Sequence, residues 1–104
     1  MTEIKFRAID KFGKIIFGRG VQITNYEYDV LLVNAKESPL IQKNSARQLV
    51  GFDKFGAEVY KGDILEGIFG EFYIADFNGV WDGDTFVYIQ VKNFKLKEAY
   101  HENN

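Results

Sequence analysis

Glu3-Ile4-Lys5-Phe6-Arg7-Ala8-Ile9 runs into Asp10-Lys11-Phe12-Gly13, and the chain returns as Lys14-Ile15-Ile16-Phe17. Apolar and charged residues alternate with a period of two in the first segment, placing Ile4, Phe6 and Ala8 on one face and Glu3, Lys5 and Arg7 on the other. Only a strand gives that separation of faces. In the turn, an aspartate can accept from backbone amides ahead of it and a glycine can take the left-handed position, the chemistry of a type I turn closed by a bulge. The stretch therefore predicts a β-hairpin.

The same device recurs 43 residues later, where Gln48-Leu49-Val50-Gly51-Phe52 leads into Asp53-Lys54-Phe55-Gly56 and out through Ala57-Glu58-Val59-Tyr60. Both an internal duplication and a turn chemistry selected twice account for the repeat. Phe12 and Phe55 break the usual polar rule for such tips. Two large rings there are either buried against another part of the fold or displayed to a partner.

Outward from these hairpins the chain keeps to short extended pieces. Tyr26, Tyr28, Val30 and Leu32 alternate as a strand does, although Val30-Leu31-Leu32-Val33 would also suit a helical turn. Residues 35–46 hold the only proline and predict the longest irregular connection. From Asp63 a meander begins: 64–69 and 71–77 are aromatic and β-branched, Asn78-Gly79 carries a strong hairpin signal, Asp82-Gly83-Asp84 makes a further turn, and 85–91 reads as a closing strand. The expectation is a single all-β, mainly antiparallel domain over 1–104, with a hairpin region at 1–34, the connection at 35–46, a barrel-like meander at 47–92 and a polar tail at 93–104. A barrel would remove the exposed edges that open sheets must protect. A short helix is allowed in the connection or the tail.

Composition agrees. Ten Phe, six Tyr and one Trp in 104 residues favour pleated surfaces, and ten glycines against one proline favour hairpins. The absence of cysteine excludes disulfides and thiolate chemistry. No apolar run approaches the roughly 20 residues that span a bilayer, and the charged start lacks the form of a secretory signal, so a cytoplasmic protein with no membrane association is expected.

Two blocks, Glu3-Ile-Lys-Phe-Arg-Ala-Ile-Asp10-Lys and Gln48-Leu-Val-Gly51-Phe-Asp53-Lys-Phe-Gly56-Ala-Glu58-Val-Tyr60-Lys-Gly62-Asp63-Ile-Leu, resemble in order and content the hallmark blocks of the YopX family. Trp81-Asp82 matches a tryptophan-aspartate pair found in that family, whereas 92–104 departs from the family's ending, as a divergent member would. The resemblance implies a mostly β fold, self-association and a phage or prophage origin, hence residence in a bacterial host cell. It brings no catalytic residues with it.

The residues themselves offer little chemistry. His101 is the only histidine and stands near the end of the sequence. Asp82 and Asp84, with Asp76, could offer oxygen ligands to a hard cation but lack the ligand spacing of a calcium loop. No catalytic, cofactor or metal site is expected. Charge is segregated instead: residues 1–62 carry ten Lys or Arg against seven Asp or Glu, while 63–84 hold six acids and no base. A noncatalytic interaction or assembly module follows, binding another protein or further copies of itself. The alternative is a nucleic-acid-binding barrel in phage replication or regulation, stacking bases on exposed rings beside basic side chains. For either, the candidate surface is Lys11, Phe12, Lys54 and Phe55 at the two tips, with Arg47 and Lys61 near the second.

Overall fold

A computed structural model describes residues 3–99, which form two compact units, 3–48 and 49–99. Twelve strands pair antiparallel, and there is no α-helix among the described residues.

Unit 1 begins with the expected hairpin. β1 (Phe6–Ile9) pairs with β2 (Ile15–Gly18) from Phe6↔Gly18 to Ile9↔Ile15. β1 also takes the first residues of β6 (Arg47–Phe52), through Arg7↔Arg47 and Phe6↔Gln48. β3 (Gly20–Gln22), β4 (Tyr28–Leu32) and β5 (Leu40–Gln42) form a three-stranded sheet in chain order. Ala8, Leu31 and Ile41 make the core, with Phe6, Ile16, Val21, Val33 and Ala46 packed around them. Leu31 and Ile41, fully buried, contribute about 1.5–3 kcal/mol each.

Three expectations change here. The alternation in β4 is real but its faces are reversed: Asp29 and Leu31 are buried while Leu32 is exposed. Burial of Asp29 is tolerable because its Oδ1 accepts from the Thr24 amide at 3.0 Å and from Lys43 Nζ at 2.5 Å. That cation, together with the amide, holds the Asp29 carboxyl below its usual range against the opposing effect of burial. Lys43 also donates to the Thr24 carbonyl, so a polar cluster closes this end of the sheet. Arg7, which the alternation places on the charged face opposite Ala8, is buried as Ala8 is. Inside the predicted irregular connection, β5 pairs with β4 and buries Ile41.

Unit 2 opens with the second hairpin, in which β6 pairs with β7 (Glu58–Tyr60) and bulges between Leu49 and Gly51. β8 (Ile64–Glu66), β9 (Phe72–Asp76), β10 (Gly79–Asp82), β11 (Thr85–Val87) and β12 (Lys95–Glu98) build a five-stranded sheet in the order β11-β10-β9-β8-β12. A single 3₁₀ turn, Val91–Asn93, precedes β12. The core joins Val59, Leu65, Ala75, Val80, Val91 and Phe94, with the Tyr73 and Phe94 rings 4.9 Å apart.

The meander is present but does not close into a barrel: β11 and β12 remain opposite edges of an open sheet. The predicted Asn78-Gly79 turn sits one residue earlier. Phe77 and Asn78 form the loop, Asn78 takes the left-handed conformation at φ 62°, and Gly79 pairs with Asp76 as the first residue of β10. In that position close approach requires the glycine, since a Cβ on Gly79 would lie 2.4 Å from the Val87 carbonyl oxygen and 2.7 Å from the Phe86 ring. Of the predicted tail, 95–98 is strand; His101 lies outside the described residues.

Candidate interaction surface

The two tips are built alike. In unit 1 the Lys11 ammonium lies 5.1 Å from the centre of the Phe12 ring, and in unit 2 the Lys54 ammonium lies 5.4 Å from that of Phe55. The rings are 83% and 72% exposed, so each tip displays a cation over an aromatic face. Arg47 and Lys61 belong to other local networks. Arg47 Nη1 donates to the Asn44 and Ala46 carbonyls at 2.6 and 2.8 Å, bracing the turn before β6. Lys61 stands 3.8 Å from Asp76 Oδ1 and 5.9 Å from the Phe77 ring centre.

A larger surface escaped the sequence reading. Strand register sorts the five-stranded sheet into two faces. Leu65, Tyr73, Ala75, Val80, Val87 and Leu96 point to the core of unit 2. The opposite parity aligns Ile64, Ile74, Trp81 and Phe86 in one cross-strand row, with Phe72 and Tyr88 on the same face. Phe72, Ile74, Trp81 and Tyr88 are exposed. The rings of Trp81 and Phe86 meet edge to face at 5.1 Å, and those of Phe86 and Tyr88 at 4.9 Å, so the aromatics form a connected, ordered group.

Asp76 organises the polar side of this face. Its Oδ2 accepts from the Trp81 indole nitrogen at 2.8 Å, fixing the ring across the strand pair, and its Oδ1 accepts from the Phe77 amide at 2.7 Å. Partial burial raises the Asp76 carboxyl, but the indole, the amide and the Lys61 charge outweigh it and hold the group below its ordinary value. Asp82 pairs with Thr85 across the β10–β11 hairpin, and Asp84 lies in its turn. The aspartates considered as cation ligands are thus turn and hairpin residues, and among the described residues no three His, Cys, Asp or Glu side chains gather to hold a metal ion.

The signal for this face was in β9. Phe72-Tyr73-Ile74-Ala75 is apolar at both parities, which a strand with one solvated face does not require. Such an ordered apolar group can bind by excluding water from a matching surface, with the Asp76 carboxylate beside it. Comparison with family models, with curated proteins and with solved structures finds no match to this chain.

Proposed function

We propose that the chain is a noncatalytic binding module whose five-stranded sheet engages a protein partner through its outer face. The observation that carries this reading is the double-sided apolar sheet, in which Phe72, Ile74, Trp81 and Tyr88 stay in water although a core already occupies the other face. Contiguous exposed apolar patches beyond roughly a few hundred Å² are uncommon on monomers and mark interaction sites. Five acids that reach the surface, Glu66, Glu71, Asp76, Asp82 and Asp84, with no base between residues 63 and 84, favour a partner with basic side chains around an apolar centre. A phage or prophage setting in a bacterial cytoplasm is part of the proposal, supported by the likeness of 3–11 and 48–65 to the YopX blocks.

Trp81 is the only tryptophan, so its emission reports on this face without labelling. Covering the face by a partner is expected to shift that emission to the blue, and the double substitution of Phe72 and Ile74 by serine is expected to weaken binding at least tenfold. Binding with an unchanged Trp81 spectrum and an unchanged affinity in the double variant would overturn the reading.

The Lys-Phe tips favour a second reading, nucleic-acid binding, because a ring beside a cation suits a stacked base and its phosphate. It expects salt-sensitive binding of single-stranded oligonucleotides. No binding at low salt ends it.

A further inference from the structure

The β8–β9 hairpin ends in Gly67-Ile68-Phe69-Gly70, and its two apolar side chains point into water, 76% and 87% exposed. The loop is held in shape. The Gly67 amide donates to the Glu71 carbonyl at 2.8 Å, the Gly70 amide to the Gly67 carbonyl at 3.1 Å, and the Phe69 amide to Glu71 Oε2 at 3.1 Å. Ile68 and Phe69 are therefore presented on a preorganised tip, and ordering it costs a partner little. Its collar is acidic: Glu66 and Glu71 flank it, with Lys97 3.9 Å from Glu66 as the neighbouring cation.

Unit 1 carries a feature of opposite form. A hollow of about 700 Å³ is walled by the apolar side chains of Ile4, Phe17 and Val33, with Lys5 and Arg19 also on its lining against the single acid Glu3. Lys5 extends over the Phe17 ring, 5.0 Å from its centre, so positive charge lies beside the apolar wall. The volume falls within the roughly 300–1,000 Å³ of sites that enclose small ligands, enough for two side chains.

We infer that the Ile68-Phe69 tip of one copy seats in the Ile4-Phe17-Val33 hollow of a second copy, with Glu66 and Glu71 facing Lys5 and Arg19. The contact is heterologous, because tip and hollow are different surfaces of the same chain, and each bound copy leaves one of each for the next. The inference deepens the binding-module reading by naming a second copy as one partner. It rests on the tip and the hollow rather than on the sheet face.

The test uses the full chain and two variants, Ile68→Ser with Phe69→Ser at the exposed tip and Lys5→Glu with Arg19→Glu at the half-buried and exposed cations of the hollow. Sedimentation of the wild type is expected to show association that grows with concentration. Each variant, with far-UV circular dichroism like the wild type's, is expected to lose at least tenfold in affinity. An equimolar mixture is expected to recover a species of two chains and stop there, because one member keeps an intact hollow and the other an intact tip. As a second measurement, the cysteine-free chain allows Ile68→Cys and Ala35→Cys variants to be mixed, and a mixed disulfide is expected to form ahead of either symmetric one. Wild type that stays monomeric up to about 1 mM, the weak end of specific binding, overturns the inference. So does a tip variant that associates like the wild type, or a mixture that remains monomeric. If these fail while Trp81 still reports a partner on the sheet face, self-docking alone is lost.

Discussion

Asp10-Lys11-Phe12-Gly13 and Asp53-Lys54-Phe55-Gly56 are the same four residues in two different settings, and locally they fold the same way. In each, the aspartate Oδ1 accepts from the amides two and four residues on, at 2.9 and 2.8 Å in the first and 2.8 and 2.9 Å in the second. The glycines stand at φ 87° and 85°. The flanking pairs also correspond, Ile9↔Ile15 with Phe52↔Glu58 and Ala8↔Ile16 with Gly51↔Val59, until β6 bulges. The difference is in what reaches the turn from far along the chain. Asp53 is buried, its Oδ2 accepts from the Leu96 amide at 2.8 Å, and the Lys54 amide donates to the Phe94 carbonyl at 2.9 Å. Asp10 is half-buried, and its long-range ties run through its backbone: Gln42 Nε2 donates to its carbonyl at 3.2 Å, and an isolated antiparallel bridge joins it to Ile41. Four residues fix the turn. Their surroundings decide whether the aspartate side chain serves the turn alone, as at Asp10, or also anchors β12, as at Asp53.

Removing the carboxylates breaks the comparison most sharply. Asp53→Ala removes the acceptor of three part-buried amides, and at about 1 kcal/mol for each bond the loss is expected to be about 3 kcal/mol. Asp10→Ala exposes its amides to water, which replaces the acceptor, and about 1 kcal/mol is expected. Urea unfolding of the two variants measures both. Equal losses would mean that the Leu96 bond adds nothing.

Asp53→Asn sharpens the same point through pH, with an expected cost of about 2 kcal/mol near neutrality because one carboxylate oxygen becomes a donor facing a donor. Burial raises the Asp53 carboxyl, but the amides of Leu96, Ala57, Phe55 and Gly56 outweigh it and lower the group. A carboxyl lowered in the folded state stabilises above its unfolded value of about 3.9 and loses that contribution as pH falls through this value toward the folded one. Wild-type stability should therefore drop faster than that of Asp53→Asn between about pH 5 and pH 2. Parallel acid limbs in urea unfolding would contradict the assignment.

What was legible in the sequence follows the same division between local and distant causes. The turns and the strands beside them could be read because period-two patterning and aspartate-glycine chemistry act within a few residues. The face of β4 could not be, because burial of Asp29 depends on Lys43, 14 residues away. β5 was missed since three residues, Leu40–Gln42, carry too little pattern to stand out until β4 pairs with them. Gly79 signals a turn when read along the chain, but it belongs to β10, where Phe86 of a neighbouring strand leaves no room for a Cβ. The candidate surface was half legible. Lys-Phe at a tip can be read along the chain, whereas the row of Ile64, Ile74, Trp81 and Phe86 exists only once four strands are in register.

Exchanging the turn glycines tests the part that the two turns share. Nothing lies within 4 Å of a Cβ built on either Gly13 or Gly56, so alanine meets only the left-handed backbone penalty. That is about 1–2 kcal/mol at each site. Thermal unfolding of Gly13→Ala and Gly56→Ala should give matching losses. A clearly larger effect at Gly56 would show that the Phe94 and Leu96 bonds strain the turn rather than merely hold it.

The smallest effects are expected at the ring positions. Phe12 and Phe55 are solvated beneath lysines and give little to either unit, so serine at each should change stability by within about 0.5 kcal/mol. That near neutrality makes the pair a clean probe of function, since lost binding in a Phe12→Ser, Phe55→Ser variant cannot be blamed on unfolding. Under the nucleic-acid reading each stacked base is worth about 1–3 kcal/mol, so the double variant should lose at least tenfold in oligonucleotide affinity. Under the sheet-face reading the same variant keeps its protein partner, and the Trp81 emission shift on binding is unchanged. The two tips then differ from the sheet face in kind: the turn requires the aspartate and the glycine, while the lysine and the ring between them are left for solvent or for a ligand.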